Sequence, residues 1–232
     1  MRPDDIPVIR TLELFREMSE DSFNELIRGA YVQTFPPQVD LITEGDHSDF
    51  LHIVLTGSVE LYASWNGRET SMETVRPIST FILAATIKDA PYLMSARTAE
   101  KSRIIMIPSM DVRSVFEADN GFARAVVTEL AQCYRLVVKT SKNLKLRTSL
   151  ERLANYLLRS HRRADGALEF ELQLEKRRLA SFLGMTPENL SRAIKALRPY
   201  GVEITGATVR ITDLADLEAF AKSSELIDDY ST

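Results

Sequence analysis

The chain has 232 residues, 44% hydrophobic and 27% charged, with a net charge of −4, which suits one or two ordinary globular domains. No apolar run reaches the ~18 residues needed to span a bilayer and MRPDDIPVIR has no signal-peptide core, so no membrane association and a cytoplasmic location are expected. One cysteine, Cys133, excludes an internal disulfide framework and any cysteine-rich zinc or iron–sulfur site.

Residues 1–30 read as helical. Ile9, Leu12, Leu14 and Phe15 begin an apolar face, and Ser19 followed by two acids opens a second helix buried through Phe23, Leu26 and Ile27. From Tyr31 to about Pro108 the pattern changes to short strands: YVQTF, DLIT, FLHIVL, SVELYA, SMETVR, YLMSAR and SRIIMI. Breaks fall at Pro36-Pro37, Glu44 to Asp46, Thr56-Gly57 and Asn66-Gly67, the last suited to a type I′ hairpin. Many short strands at this spacing predict a small barrel or sandwich.

Met110 begins a short helix, and Asn120-Gly121 is expected to interrupt it before a long one. Val126, Leu130, Cys133, Val137, Thr140 and Leu144 are spaced 4, 3, 4, 3, 4, a heptad seam that predicts pairing with the same helix of a second copy. Val127, Tyr134 and Val138 form a second stripe, expected to face the strand domain. Cys133 on the seam reads as a small buried hydrophobe, or as a thiol able to meet its symmetry mate. The polar, basic run Lys139–Arg147 is the expected hinge. The expected domain boundaries are 1–108, 109–146 and 147–232.

Thr148 and Glu151 fit a capping box for an amphipathic helix built on Leu150, Leu153, Ala154, Leu157 and Leu158. His161 to Gly166 is expected as a loop, and Phe170 and Leu172 as a short strand. Then comes LEKRRLASFLGMTPENLSRAIKALR, residues 174–198. Leu179, Ala180, Phe182 and Leu183 are apolar at helical spacing, Gly184 permits a reversal with positive φ, Thr186 can cap, and Pro187 suits a first helical position. Leu190, Ala193, Ile194 and Leu197 would bury one side of the second helix, leaving Glu188, Asn189, Ser191, Arg192 and Lys195 exposed. This is the layout of a helix-turn-helix. Arg192 can donate two hydrogen bonds to guanine, Glu188 can accept from cytosine, and Ser191 is short enough to touch a base. Lys176, Arg177, Thr186 and Lys195 suit phosphates. Val202 to Ile204 and Thr208 to Ile211 read as a wing. Residues 146–212 carry twelve Lys/Arg against seven Asp/Glu, a balance of +5 that leaves −9 elsewhere. A basic segment on an acidic body fits double-stranded DNA as partner. A small-molecule binding module that docks a protein is the competing class. No Walker loop, GxGxxG, HExxH or Ser-His-Asp arrangement supports an enzyme.

The order of parts, an α+β chain of β-roll, long dimerisation helix and winged helix-turn-helix, resembles the Crp/Fnr family of bacterial transcription regulators over nearly its whole length. Thr186-Pro-Glu-Asn-Leu-Ser-Arg192 is its most specific piece. The resemblance implies a TTGA-like inverted repeat read by a homodimer, and contact with RNA polymerase. The family's cyclic-nucleotide pocket uses a glutamate and an arginine-serine pair; the matching positions here are Ala84 and Tyr92-Leu93. With both charged anchors gone a desolvated phosphate has no partner, so tight cyclic-AMP binding is not expected. Phe81, Ile82, Leu83, Tyr92 and Met94 instead suggest an apolar lining, open to a small apolar effector, to haem or to closure by its own side chains. Haem would need His47 or His52 as a ligand, residues that read first as structural or solvated, as does His161. The N-terminal cysteine cluster of the family's oxygen-sensing branch is missing.

Overall fold

The computed structural model describes residues 5–172 and 174–229; the first four residues of the expected helical start lie outside them. The chain divides into two compact units, Met1–Gln132 and Cys133–Thr232. The first opens with helices α1 (Asp5–Arg10), α2 (Glu13–Arg16) and α3 (Glu20–Arg28). Ser19 caps α3 as expected, its hydroxyl accepting from the Ser22 N–H at 3.2 Å. Then come the strands β1 (Tyr31–Phe35), β2 (Asp40–Ile42), β3 (Phe50–Thr56), β4 (Val59–Trp65), β5 (Arg68–Val75), β6 (Ser79–Phe81), β7 (Ser95–Thr98) and β8 (Ser102–Pro108). Helix α4 (Leu83–Lys88) separates β6 from β7. The predicted strand YLMSAR keeps only its second half. Asn66 and Gly67 have φ of 50° and 72°, as a type I′ turn requires.

The strands form two antiparallel sheets, ordered β1-β8-β3-β6 and β2-β7-β4-β5. Alternation along β3 and β8 explains why both are mostly apolar through their middles. Leu51, Ile53, Leu55, Ile105 and Ile107 join a core with the helices, while Val54 and Ile104 join a second core that includes Val59, Leu61 and Ala96 of the other sheet. A sheet covered on both faces needs continuous hydrophobic runs rather than a polar alternation.

Helix α5 (Ser109–Ala118) ends at Asp119, not at Asn120-Gly121, which lie inside helix α6 (Asn120–Leu146). One Asp119 oxygen accepts from Phe122 N–H at 2.9 Å and the other from Ser19 N–H at 3.0 Å, so a single carboxylate anchors the starts of α6 and α3. These N–H partners, with the Ser19 and Ser22 hydroxyls, outweigh the burial that would raise its pKa and hold it well below the usual carboxylate range. Gly121 serves close approach rather than a break: a Cβ there would sit 2.0 Å from the Glu17 carbonyl oxygen.

The expected phase of α6 needs correcting. Val126 is fully buried in the first core and Leu130 packs against it, whereas Val127 is 60%, Tyr134 70% and Val137 65% exposed. Val126 is therefore no seam residue, and Val127, Tyr134 and Val138 form an exposed stripe. Cys133 is exposed too, not a buried hydrophobe. The heptad left exposed or half-buried runs Val127, Leu130, Tyr134, Val137, Ser141 and Leu144, spaced 3, 4, 3, 4, 3. The two seams share Leu130, Val137 and Leu144 and differ by one residue at the other three positions, a turn of roughly half the ~100° between neighbours, and packing chooses between them.

The second unit begins within α6 and continues through α7 (Ser149–Arg163), β9 (Glu169–Glu171), α8 (Lys176–Phe182), α9 (Pro187–Ala196), a 3₁₀ turn (Arg198–Tyr200), β10 (Val202–Thr205), β11 (Thr208–Ile211), α10 (Leu214–Ala221) and α11 (Glu225–Asp228). The Thr148–Glu151 capping box is formed, with Thr148 N–H to the Glu151 carboxylate at 2.7 Å and the return bond at 3.3 Å. Helix α7 runs past His161, which is buried with Nδ1 2.8 Å from the Ala167 carbonyl oxygen; the expected loop starts only at Ala164. Strands order as β10-β11-β9. Leu153, Leu157, Leu179, Leu190, Leu197, Val209 and Leu217 fill one core shared by α7 to α10 and the three strands.

The Lys139–Arg147 run is not a solvated hinge. Lys139 is buried and donates to the Asp229 carbonyl, and Arg147 forms a two-bond pair with Asp228. The division between units falls earlier in α6, after Gln132. In sequence these charges look solvated because their partners lie some eighty or ninety residues away.

Candidate nucleic-acid interface and effector region

The pair α8–α9 forms around a tight reversal. Gly184 has φ of +63°, and a Cβ there would come 2.7 Å from the Leu144 side chain, so the position is restricted twice over. Thr186 caps α9, its hydroxyl accepting from Asn189 N–H at 3.3 Å, and Pro187 takes the first position. Leu190, Ala193 and Leu197 are buried, with Ile194 partly so, while Glu188, Asn189, Ser191, Arg192 and Lys195 are all exposed. Ala180 is fully buried where α8 meets the core.

The exposed side chains are held by local bonds at the start of the same helix. The Glu188 carboxyl is held below its ordinary pKa by the Thr186 hydroxyl, with its own N–H and the Arg192 charge assisting. Ser191 donates its hydroxyl to the Pro187 carbonyl at 3.0 Å. Arg192 donates to the Asn189 side-chain oxygen. Sequence reasoning placed Asn189 on this face without a role; its i, i+3 spacing to Arg192 was the available signal. The face thus presents an acceptor, a small hydroxyl and a planar donor fork on the first two turns of one helix. Lys176 and Arg177 are exposed at the start of α8, and Thr186 and Lys195 flank the acceptor–donor array on α9. Such groups can accept from and donate to base edges and neutralise phosphates.

In the first unit, the five expected pocket residues are not one lining. Phe81 and Tyr92 are buried in the inter-sheet core, with Ile82 and Met94 packed against it, but Leu83 belongs to the core shared with the helices. The left-handed turn at Ile82 sends it and the next side chain, Leu83, into different cores, which spacing along the chain does not resolve. Ile82 takes φ of +66° at the start of α4, a rare left-handed position for a β-branched residue. At the positions matching the nucleotide anchors, Ala84 is exposed, Tyr92 is buried with its hydroxyl 3.5 Å from the Phe50 carbonyl oxygen, and Leu93 is exposed. Arg97, the nearby cation, bridges the buried Glu60 at 3.0 Å and also Glu69, and lies over the Tyr62 ring.

The two candidate haem ligands occupy different settings. His47 is exposed, beside Asp49 at 3.3 Å and Asp89 at 3.5 Å. His52 is buried and stacks on Phe81 with ring centroids 5.0 Å apart, and its Nδ1 has no hydrogen-bond partner among the described residues. Burial lowers its pKa to about 4, only partly offset by the Phe50 backbone. The imidazole is therefore neutral at physiological pH and is used in packing. No helix among the described residues is long and apolar enough to cross a membrane.

Comparison with known proteins places both units. Residues 32–119 match the cyclic nucleotide-binding domain family, and residues 151–220 match the Crp-like helix-turn-helix domain. The transcriptional activator protein FnrA of Stutzerimonas stutzeri is 24% identical over 190 residues, covering 78% of this chain and 76% of that protein. The potassium channel KAT1 of Oryza sativa subsp. japonica is 26% identical over 144 residues, covering 62% of this chain; the chain spans only 19% of the channel's length. Among solved structures, FixK2 of Bradyrhizobium japonicum superposes with a TM-score of 0.67 at 20% identity, covering 84% of this chain and 98% of that one. A Crp/Fnr-family protein from Eubacterium rectale superposes with a TM-score of 0.71 at 16% identity, covering 91% and 99%. At these identities the structural likeness concerns the fold.

Proposed function

The chain belongs to the Crp/Fnr family, and on that premise we propose that it is a homodimeric, sequence-specific, DNA-binding transcription regulator. Each copy places α9 in the major groove of one half-site of a TTGA-like inverted repeat. The observation that carries this reading is the exposed array of Glu188, Ser191 and Arg192, each held by a local hydrogen bond, on the first turns of a helix whose other side is buried. Glu188 and Arg192 supply base discrimination, Ser191 assists, and Lys176, Arg177, Thr186 and Lys195 hold the backbone. The second copy is the occupant best suited to the open heptad of α6 from Val127 to Leu144, because a 3-4 repeat fits its own image in a knobs-into-holes seam. Contact with RNA polymerase completes the proposal, by family likeness.

The effector is a molecule other than cyclic AMP. Ala84 and Tyr92 replace the charged anchors, and Arg97 is engaged by Glu60 and Glu69. A ligand entering the inter-sheet core around Phe81, Ile82, Tyr92 and Met94 would meet an apolar lining. Titration of a labelled TTGA–TCAA duplex and a scrambled duplex between 50 and 200 mM salt tests the DNA reading. Selective binding that weakens steeply with salt is expected; equal affinity for both duplexes would overturn it. Calorimetry with cyclic AMP should give no heat at micromolar concentrations.

A further inference from the structure

The chain continues past residue 220, where the helix-turn-helix family match ends, and the segment beyond that point is fastened to the end of α6. Asp228, in α11, is buried against Arg147, the residue immediately after α6. Both guanidinium Nη atoms donate to its two oxygens at 2.6 Å, and the side chains are 5% and 8% exposed. Ser224 N–H adds a bond to the same carboxylate at 2.8 Å. Arg147 also donates to Asn143 on the last turn but one of α6, at 3.1 Å. Two turns upstream the buried Lys139 ammonium donates to the Asp229 carbonyl.

The same block reaches the reading head. Buried Arg152, in the first turn of α7, donates through Nε to the Leu183 carbonyl and through Nη1 to the Arg147 carbonyl, each at 2.8 Å. Longer bonds of 3.4 Å run to the carbonyls of Leu144 and Gly184. One guanidinium therefore gathers the end of α6 and the turn between α8 and α9, where Leu144 lies against Gly184. The last turns of α6, the α8–α9 turn and α11 form one cross-braced body.

We propose that Ser224–Asp229 is a clasp that sets the spacing at which the two reading heads accept their half-sites. This rests on the dimeric DNA-binding reading above. If two copies pair along α6, the distance and tilt between their α9 helices depend on how firmly each α6 end is fixed to its own reader. Base discrimination resides in the exposed side chains of α9, which the clasp does not touch. Cutting the clasp should loosen spacing while leaving the half-site sequence unchanged.

The test uses the full chain, Asp228→Asn, and a form ending at Ser224, against duplexes carrying two half-sites whose separation varies in single base-pair steps. The full chain is expected to favour one separation over its neighbours by about tenfold. Both variants should flatten that preference to about twofold and keep the half-site base preference and salt slope. An unchanged spacing preference in folded Asp228→Asn would overturn the clasp. Loss of half-site discrimination together with spacing would also overturn it, since the segment would then merely hold the reader's fold. Should truncation prevent folding, Asp228→Asn alone decides. A full chain with neither sequence nor spacing preference would instead sink the DNA reading itself.

Discussion

Arg192 shows how one side chain can be both legible and incomplete in a sequence. Its place on the outer face of α9 follows from helical spacing, whereas the hydrogen bond to Asn189 that orients it depends on the folded rotamers. Arg192→Ala is expected to cost about 1–3 kcal/mol against the preferred half-site and relax discrimination at one base pair. Competition with singly substituted duplexes measures this; an equal loss on random DNA would argue for a phosphate role. His52 makes a different residue-scale prediction. Its folded pKa of about 4 lies below the ordinary 6.5, so between those values the unfolded chain takes up a proton that the folded chain refuses. Stability is thus retained above pH 6.5 and lost as pH falls toward 4, by up to about 3 kcal/mol for this group. Urea melts at pH 7 and 4.5 should show the loss, and His52→Phe should shrink it.

At the scale of an element, α6 carries two obligations. Phe122, Val126 and Leu130 serve the first unit's core, while Val127, Tyr134 and Val137 lie open. The double substitution Val127→Glu and Tyr134→Glu should leave the melting of the first unit nearly unchanged, within about 0.5 kcal/mol for surface sites. Light scattering should nevertheless show the proposed dimer giving way to monomer. Val126→Asp should do the reverse, destabilising the fold by about 3 kcal/mol or more because a carboxylate would be buried without a partner. The period of this helix was readable from spacing, but its phase was not. Val126 and Val127 are neighbours and both apolar, and only the first unit's core decides which of them it covers. Helix α4 repeats the lesson, since Ile82 and Leu83 are neighbours in sequence yet serve different cores.

For the whole molecule, the charge asymmetry predicts how binding responds to salt. The basic stretch 146–212 should give the second unit the steep electrostatic dependence of a DNA reader, despite the net charge of −4. The order of strands, long helix and winged helix-turn-helix was written in local signals: hairpin residues, caps, a heptad period and the Thr-Pro cap of α9. These act over a few residues, so the amino-acid sequence by itself determined the family and which side of α9 is exposed. What only the tertiary structure decided involves partners far apart along the chain. Arg147 finds Asp228, Arg97 finds Glu60 and Glu69, Asp119 bridges to Ser19, and Lys139 meets Asp229. A charge in a sequence looks solvated until folding brings its partner, and so a run that resembled a hinge became a brace.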